Sequence, residues 1–443
     1  MLLEGTVVAD AATVISDGAI AVADDRILAV GERNELRATY PSFPRHQCDL
    51  FMPGLVGGHI HSVQSLGRGI ADDTSLLDWL FEYILPMEAS LEAEEMALAA
   101  QLAYLEIIES GTTTVIDHLS VSHAERVFEV AGEMGIRGCL GKVLMDQRSP
   151  AGLQEEADEA LAESERLITE FHGSHNDRLR YAVTPRFALS CSEECLRGCR
   201  DLVDRYPGVR IHTHASENKR EIETVAADTG MRNIEWLHEV GLTGEDVILA
   251  HCVWTDETER ALLAETNTNV VYCPSSNMKL ASGIAPVTDY LDRGICVALG
   301  NDGPPCNNTL DAFTEMRQAS LLQKVEQLDP TVLPASTIVQ MATEYGAQAA
   351  GFEKVGKIAP GWKADIIGID TGNTRASPLH DIFSYLVFAA HGDDVVFSMV
   401  DGTILMQNGE VVVADAEAIR RKANAVELDL DAARAEARKV RPD

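Results

Sequence analysis

Two histidines stand one residue apart in the stretch GLVGGHIHS, Gly54 to Ser62. In an extended strand, residues i and i+2 point to one face, so His59 and His61 can aim two imidazoles at one point. A shared metal ion would use that geometry. Further along, HTHASE holds His212, His214 and Glu217, DVILAHCVW holds His251, and ICVALGNDGPP holds Asp302. Several imidazoles plus a carboxylate suit Zn²⁺ or Fe²⁺ in a catalytic site that keeps one position open for water. His212 and His214 would share a strand face. His214 is nearer the strand end and three residues before Glu217, so it is taken as the ligand. His212 is left to packing or to supporting a ligand.

Groups so far apart in the chain need a scaffold that gathers them. Short apolar runs alternate with helical stretches from residue 54 onward, which predicts repeated βα units and a parallel sheet. Eight runs can be counted, at 54–62, 112–118, 136–145, 180–187, 209–217, 246–254, 269–277 and 295–305. Eight such units predict an α/β fold, a distorted (β/α)8 barrel, whose catalytic groups sit at the C-terminal strand ends. Both chain ends have a different texture, with short strands and turns such as Asn408-Gly409. They are expected to pair into one composite β-sandwich domain, 1–52 plus 357–443, around a barrel at 53–356. The stretch 153–171 reads as a solvated acidic helix, and the tail LDLDAARAEARKVRPD as a surface helix.

Bulk properties narrow the possibilities. The chain has 443 residues, 36 basic against 70 acidic, for a net charge of −34. That surface repels phosphate backbones, so nucleic-acid or anionic-membrane partners are not expected. There is no run of the roughly 18 apolar residues needed to span a membrane, and the acidic N-terminus lacks a basic leader. A cytoplasmic protein is expected. Nine scattered cysteines indicate reduced thiols, with Cys191, Cys195 and Cys199 packing on one helical face. The cytidine-deaminase type of zinc site requires C-x-x-C, which does not occur.

The segments MPGLVGGHIHS, HTHASE, AHCV and LGNDG resemble the amidohydrolase superfamily, in its metal-dependent deaminase and chlorohydrolase branch. The likeness covers nearly the whole chain, including the composite domain. It implies that His59, His61, His214 and Asp302 bind one divalent metal, Zn²⁺ before Fe²⁺. It also implies that Glu217 is the proton shuttle and that His251 hydrogen-bonds the attacking water. A second metal in dinuclear relatives needs a modified lysine on strand four. Strand four here, RYAVTPRF, has none, and Lys142 on strand three reads as structural. The implied reaction is hydrolytic release of ammonia from an aminated heterocycle. Glu217 would protonate a ring nitrogen, with His251 and Asp302 orienting the water. Many related barrels are homo-oligomers, dimers or larger, which is the expectation here.

Gln64 in HSVQS, with Arg186 and Phe187 in VTPRFALS, resembles guanine deaminase, whose matching side chains hold the purine. A carboxamide can read a lactam edge, arginine can donate to a ring carbonyl, and phenylalanine can stack on the base. The stretch NDGPPCNNTLDAFTEMRQ is instead closer to deaminases of 5′-deoxyadenosine, methylthioadenosine or S-adenosylhomocysteine and to triazine hydrolases. Glu88 in LPMEAS sits where those nucleoside enzymes reach ribose hydroxyls. The balance of motifs favours guanine or a purine or pterin analogue, with the nucleoside or triazine reading as the alternative.

Overall fold

The computed structural model describes residues 1–440. Eight strands build its centre: Leu55–Ile60, Thr112–His118, Arg137–Gly141, Leu179–Pro185, Arg210–Ala215, Val247–His251, Asn269–Tyr272 and Val297–Leu299. They pair in chain order, every neighbour parallel. Strands one and eight meet through a parallel bridge between Ile60 and Asp302, where the Asp302 peptide N–H donates to the His59 carbonyl at 2.9 Å. The sheet thus closes into the (β/α)8 barrel read from the sequence. Its strands are buried almost throughout, so their sequences are apolar runs rather than alternating ones. Gly58 permits the closure: a Cβ there would stand 2.8 Å from the Leu299 carbonyl oxygen.

Helices cover the barrel. Ala93–Glu109 opens with a capping box between Glu92 and Glu95, and Glu193–Arg205 is capped by the Ser192 hydroxyl. Cys195 and Cys199 lie inward on that second helix and Cys191 just before it, all three buried, and all nine cysteines are free thiols. The acidic stretch at 153–171 is helical over Ala157–Phe171.

The chain ends make one eight-stranded sheet. Ile366–Ile369, from the C-terminal part, pairs antiparallel with Arg45–Pro53, from the N-terminal part. Leu3, Ile20 and Ile27 share an apolar cluster with Ile366, Phe397 and Met399, so the sheet folds over its own core. A buried arginine ties this sheet to the barrel. Arg137 of strand three donates to Asp365 at 2.6 and 3.0 Å and to Asp401 at 3.0 Å. Removing either side of such a buried ion pair costs about 3–5 kcal/mol.

The tail is more than a surface helix. Asp431–Val440 returns to the barrel mouth, where Ala437 packs fully buried in a cluster with Trp79, Leu80 and Phe81. Arg434 donates to the Glu82 carbonyl at 2.7 Å and stacks over Tyr83. Among the described residues, no helix is long and apolar enough to cross a membrane.

Candidate metal centre and active site

Strand pleating sets the site. His59 and His61 face inward together from the end of strand one, as do His212 and His214 from strand five. His251 is the last residue of strand six, and Asp302 follows strand eight. The backbone bends sharply at these tips. Ser216, His251, Cys252 and Asp302 have φ of 51°, 72°, 46° and 63°. Such left-handed conformations cost non-glycine residues about 1–3 kcal/mol each, and they concentrate where function overrides backbone preference.

His59, His61, His214 and Asp302 each offer a ligand atom, all within 4.8 Å of one another. The hydrogen bonds behind them settle the direction of the lone pairs. Nδ1 of His61 faces the His118 carbonyl at 2.7 Å, and Nδ1 of His214 faces the Arg186 carbonyl at 2.6 Å. A neutral imidazole has one N–H, and each ring uses it on that carbonyl. The two Nε2 lone pairs therefore confront each other at 3.2 Å. Nε2 of His59 is buried with no hydrogen-bond partner, while its Nδ1 meets Nε2 of His212 at 2.9 Å. Asp302 Oδ1 lies 3.4 Å from Nε2 of both His59 and His61. Converging lone pairs repel unless a cation takes them, so this donor set fits a divalent metal supported by outer hydrogen bonds.

The electrostatics agree. Burial pushes the imidazoles of His59, His61, His214 and His251 below their ordinary range, leaving them neutral. Burial would raise Asp302, but the close approach of the His59 ring, with His251 and His61 beside it, holds its carboxyl well below the usual range. Burial, then the Asp302 charge, pushes Glu217 up to about 8. Nε2 of His251 lies 3.9 Å from both Glu217 Oε2 and Asp302 Oδ2. The ligand set for a metal, the Glu217 carboxyl and a neutral imidazole thus surround one point where water and an electrophile can meet.

A cavity opens over this point. Its floor is His61, His214, Glu217, His251 and Asp302, and one wall is Leu76, Leu77, Trp79, Leu80 and Leu280. Arg186 and Phe187, directly after strand four, line it as well. Gln64 and Glu88 do not belong to the lining. Glu88 is wholly buried and accepts from Arg186 at 2.8 and 3.1 Å, from Gln64 Nε2 at 2.9 Å and from Ser120 at 3.3 Å. Lys142 pairs with Glu155 and donates to the Val143 carbonyl at 3.1 Å.

Sequence reading passed over several neighbours. His118, the last residue of strand two, places its ring 4.7 Å from that of His214 and is fully buried. Its position at a strand tip was a visible signal. Ser276, Asn277 and Ser282 gave none, because their contacts lie across the barrel mouth.

The "Amidohydrolase family" pattern matches residues 50–405, and a bacterial "Imidazolonepropionase-like composite domain" matches residues 18–42. The 5′-deoxyadenosine deaminase of Methanothermobacter thermautotrophicus is 41% identical over 382 residues, 86% of this chain and 87% of that one. Among solved structures, a zinc-bound adenosine deaminase from Xanthomonas campestris superposes with a TM-score of 0.89 at 30% identity, covering 99% and 98% of the two chains. The E. coli guanine deaminase superposes with a TM-score of 0.86 at 26% identity, covering 92% and 99%. These likenesses favour the adenosine-type expectation over the guanine one. With that match, a donor set fit for one divalent cation and a buried carboxyl beside it, the chain belongs to the amidohydrolase family and is a hydrolytic deaminase of its metal-dependent branch.

Proposed function

We propose that the enzyme deaminates a purine nucleoside with an uncharged 5′ end, 5′-deoxyadenosine being the representative substrate. The carrying observation is the cavity's division into a polar floor and an apolar wall of Leu76, Leu77, Trp79, Leu80 and Leu280. An aminated base fits over the floor, and a 5′-methyl end against the wall loses water at little cost. The relative 41% identical to this chain, named a 5′-deoxyadenosine deaminase, supports the same reading.

His59, His61, His214 and Asp302 would hold the cation, proposed to be Zn²⁺. When bound it supplies hydroxide at neutral pH by lowering the pKa of water toward about 7. The residues of the chain do the rest. Nε2 of His251 orients the attacking water between Glu217 and Asp302. Glu217 carries a proton to the ring nitrogen beside the amino carbon, which makes that carbon electrophilic. Asp302, ionised, accepts the remaining proton, which passes to the amino group as ammonia leaves. Arg186 and Phe187 hold the base, by donation and by stacking.

Guanine remains the second reading, because Arg186 and Phe187 do line the cavity. An ammonia-release assay over 5′-deoxyadenosine, adenosine and guanine separates the two. We expect kcat/KM for 5′-deoxyadenosine to exceed that for guanine by at least about 100-fold, which corresponds to about 2.7 kcal/mol. Turnover of guanine with 5′-deoxyadenosine inert would reverse the assignment. Full activity after exhaustive chelation would remove the metal from it.

A further inference from the structure

One short segment touches every proton-handling group of the site. Ser276 Oγ donates to Asp302 Oδ2 at 2.6 Å, Asn277 Nδ2 lies 3.0 Å from His251 Nδ1, and Ser282 Oγ donates to Glu217 Oε1 at 2.9 Å. The contacts of Asn277 and Ser282 occupy the outward atoms of His251 and Glu217, leaving His251 Nε2 and Glu217 Oε2 facing the reaction. The segment is itself held firmly. The Asn277 N–H donates to the Cys273 carbonyl at 3.0 Å, the Ser282 N–H to the Asn277 carbonyl at 2.9 Å, and the Ser275 N–H to the buried Glu315 at 3.2 Å.

We propose that Asn277 is a positioning residue that fixes the tautomer of His251, so that Nε2 carries the hydrogen and meets the attacking water as a donor. The inference rests on the role given to His251 above. Two arrangements of the contact are conceivable. If Asn277 donated its amide N–H, His251 Nδ1 would accept and Nε2 would bear the hydrogen. If the amide oxygen accepted instead, the Nε2 lone pair would point toward Glu217 Oε2 and Asp302 Oδ2, each 3.9 Å away. A lone pair aimed at the ionised Asp302 is repelled, whereas an N–H is attracted. Asn277 and His251 are both only 1% exposed, so water cannot substitute for the missing donor. The same tautomer explains why His251 stands outside the four-residue ligand set.

The test uses the full-length zinc-loaded enzyme with ¹⁵N-labelled histidine, His251 being assigned by difference against His251→Gln. The wild type should show His251 Nδ1 unprotonated and Nε2 protonated. Asn277→Asp keeps the shape but offers only acceptors, so the two resonances should exchange roles. Its kcat should fall about 100-fold, the scale of one mispositioned proton-handling group, with KM within about twofold and one zinc retained per chain. A wild-type spectrum with the hydrogen on Nδ1 would overturn the proposal, as would Asn277→Asp within threefold of wild-type kcat. If that variant fails to fold, the wild-type spectrum alone decides. Because the tautomer is read without substrate, failure of the nucleoside assignment leaves this result distinct.

Discussion

The buried pair between Glu88 and Arg186 makes a quantitative prediction. Its side chains are 0% and 5% exposed, with two hydrogen bonds between them and two more reaching Glu88 from Gln64 and Ser120. Replacing Glu88 with leucine leaves a guanidinium buried without its anion. That loss costs about 3–5 kcal/mol, and the orphaned Gln64 amide adds about 1 kcal/mol. Unfolding entropy near 2.1 cal/mol/K per residue, taken over 443 residues, is about 0.9 kcal/mol/K. The melting temperature of Glu88→Leu should therefore fall by about 4–7 °C, read by circular dichroism at fixed zinc and pH. Arg186→Met should cost a similar amount. The double variant should recover most of the loss, because no uncompensated charge remains. The pair also reaches the metal centre. The Arg186 carbonyl receives the His214 Nδ1–H at 2.6 Å and the His214 peptide N–H at 3.2 Å. Loosening Arg186 should weaken zinc affinity about 10–100-fold, as loss of a supporting contact does elsewhere. Additive single-variant losses in the double variant would refute the reasoning, and so would unchanged zinc affinity in both single variants.

Glu217→Gln keeps the volume of the side chain and the contact with Ser282 but cannot move a proton. Its kcat should drop about 10²–10⁴-fold with zinc content unchanged, measured by ammonia release and metal analysis on the same sample. Glu221 offers a pH-dependent check in the metal-free protein. It accepts from the Glu217 peptide N–H at 2.8 Å and from Asn233 at 2.9 Å, and burial pushes it up from 4.5 to about 8. The native fold keeps a proton that the unfolded chain releases near 4.5. Its contribution to stability is thus fully present below about pH 4.5 and lost as pH rises through about 8. Glu221→Gln should flatten the decline of melting temperature between pH 5 and 8; an unchanged slope would count against a buried, protonated Glu221.

Much of the architecture was legible because it follows from local rules. The eight apolar runs correspond to the eight parallel strands, since buried parallel strands must be apolar on both faces. Alternation within a strand was enough to bring His59 and His61 together at one tip. Other features depend on contacts between distant segments. The tail at 431–440 reads as an amphipathic surface helix, yet Ala437 finds a buried seat beside Trp79 and Leu80. Glu88 could equally have capped a helix. In a chain with 70 acidic and 36 basic residues, nothing local says which acid an arginine will meet. The division of the chain at 52/53 and 356/357 likewise stands as our proposal for its structural units.

The sequence by itself determined the chemistry on offer: imidazoles and carboxylates at the ends of apolar runs, spaced by the period of a strand. The tertiary structure decided how each group is oriented. It turned the second nitrogen of His61 and of His214 onto a backbone carbonyl, bound His212 to His59, withdrew Gln64 and Glu88 behind Arg186, and set Asn277 against His251. The physical reason is range. Side-chain direction along a strand is fixed by its neighbours in the chain, whereas a hydrogen-bond partner is fixed only when the barrel closes and brings one strand tip within 3 Å of another.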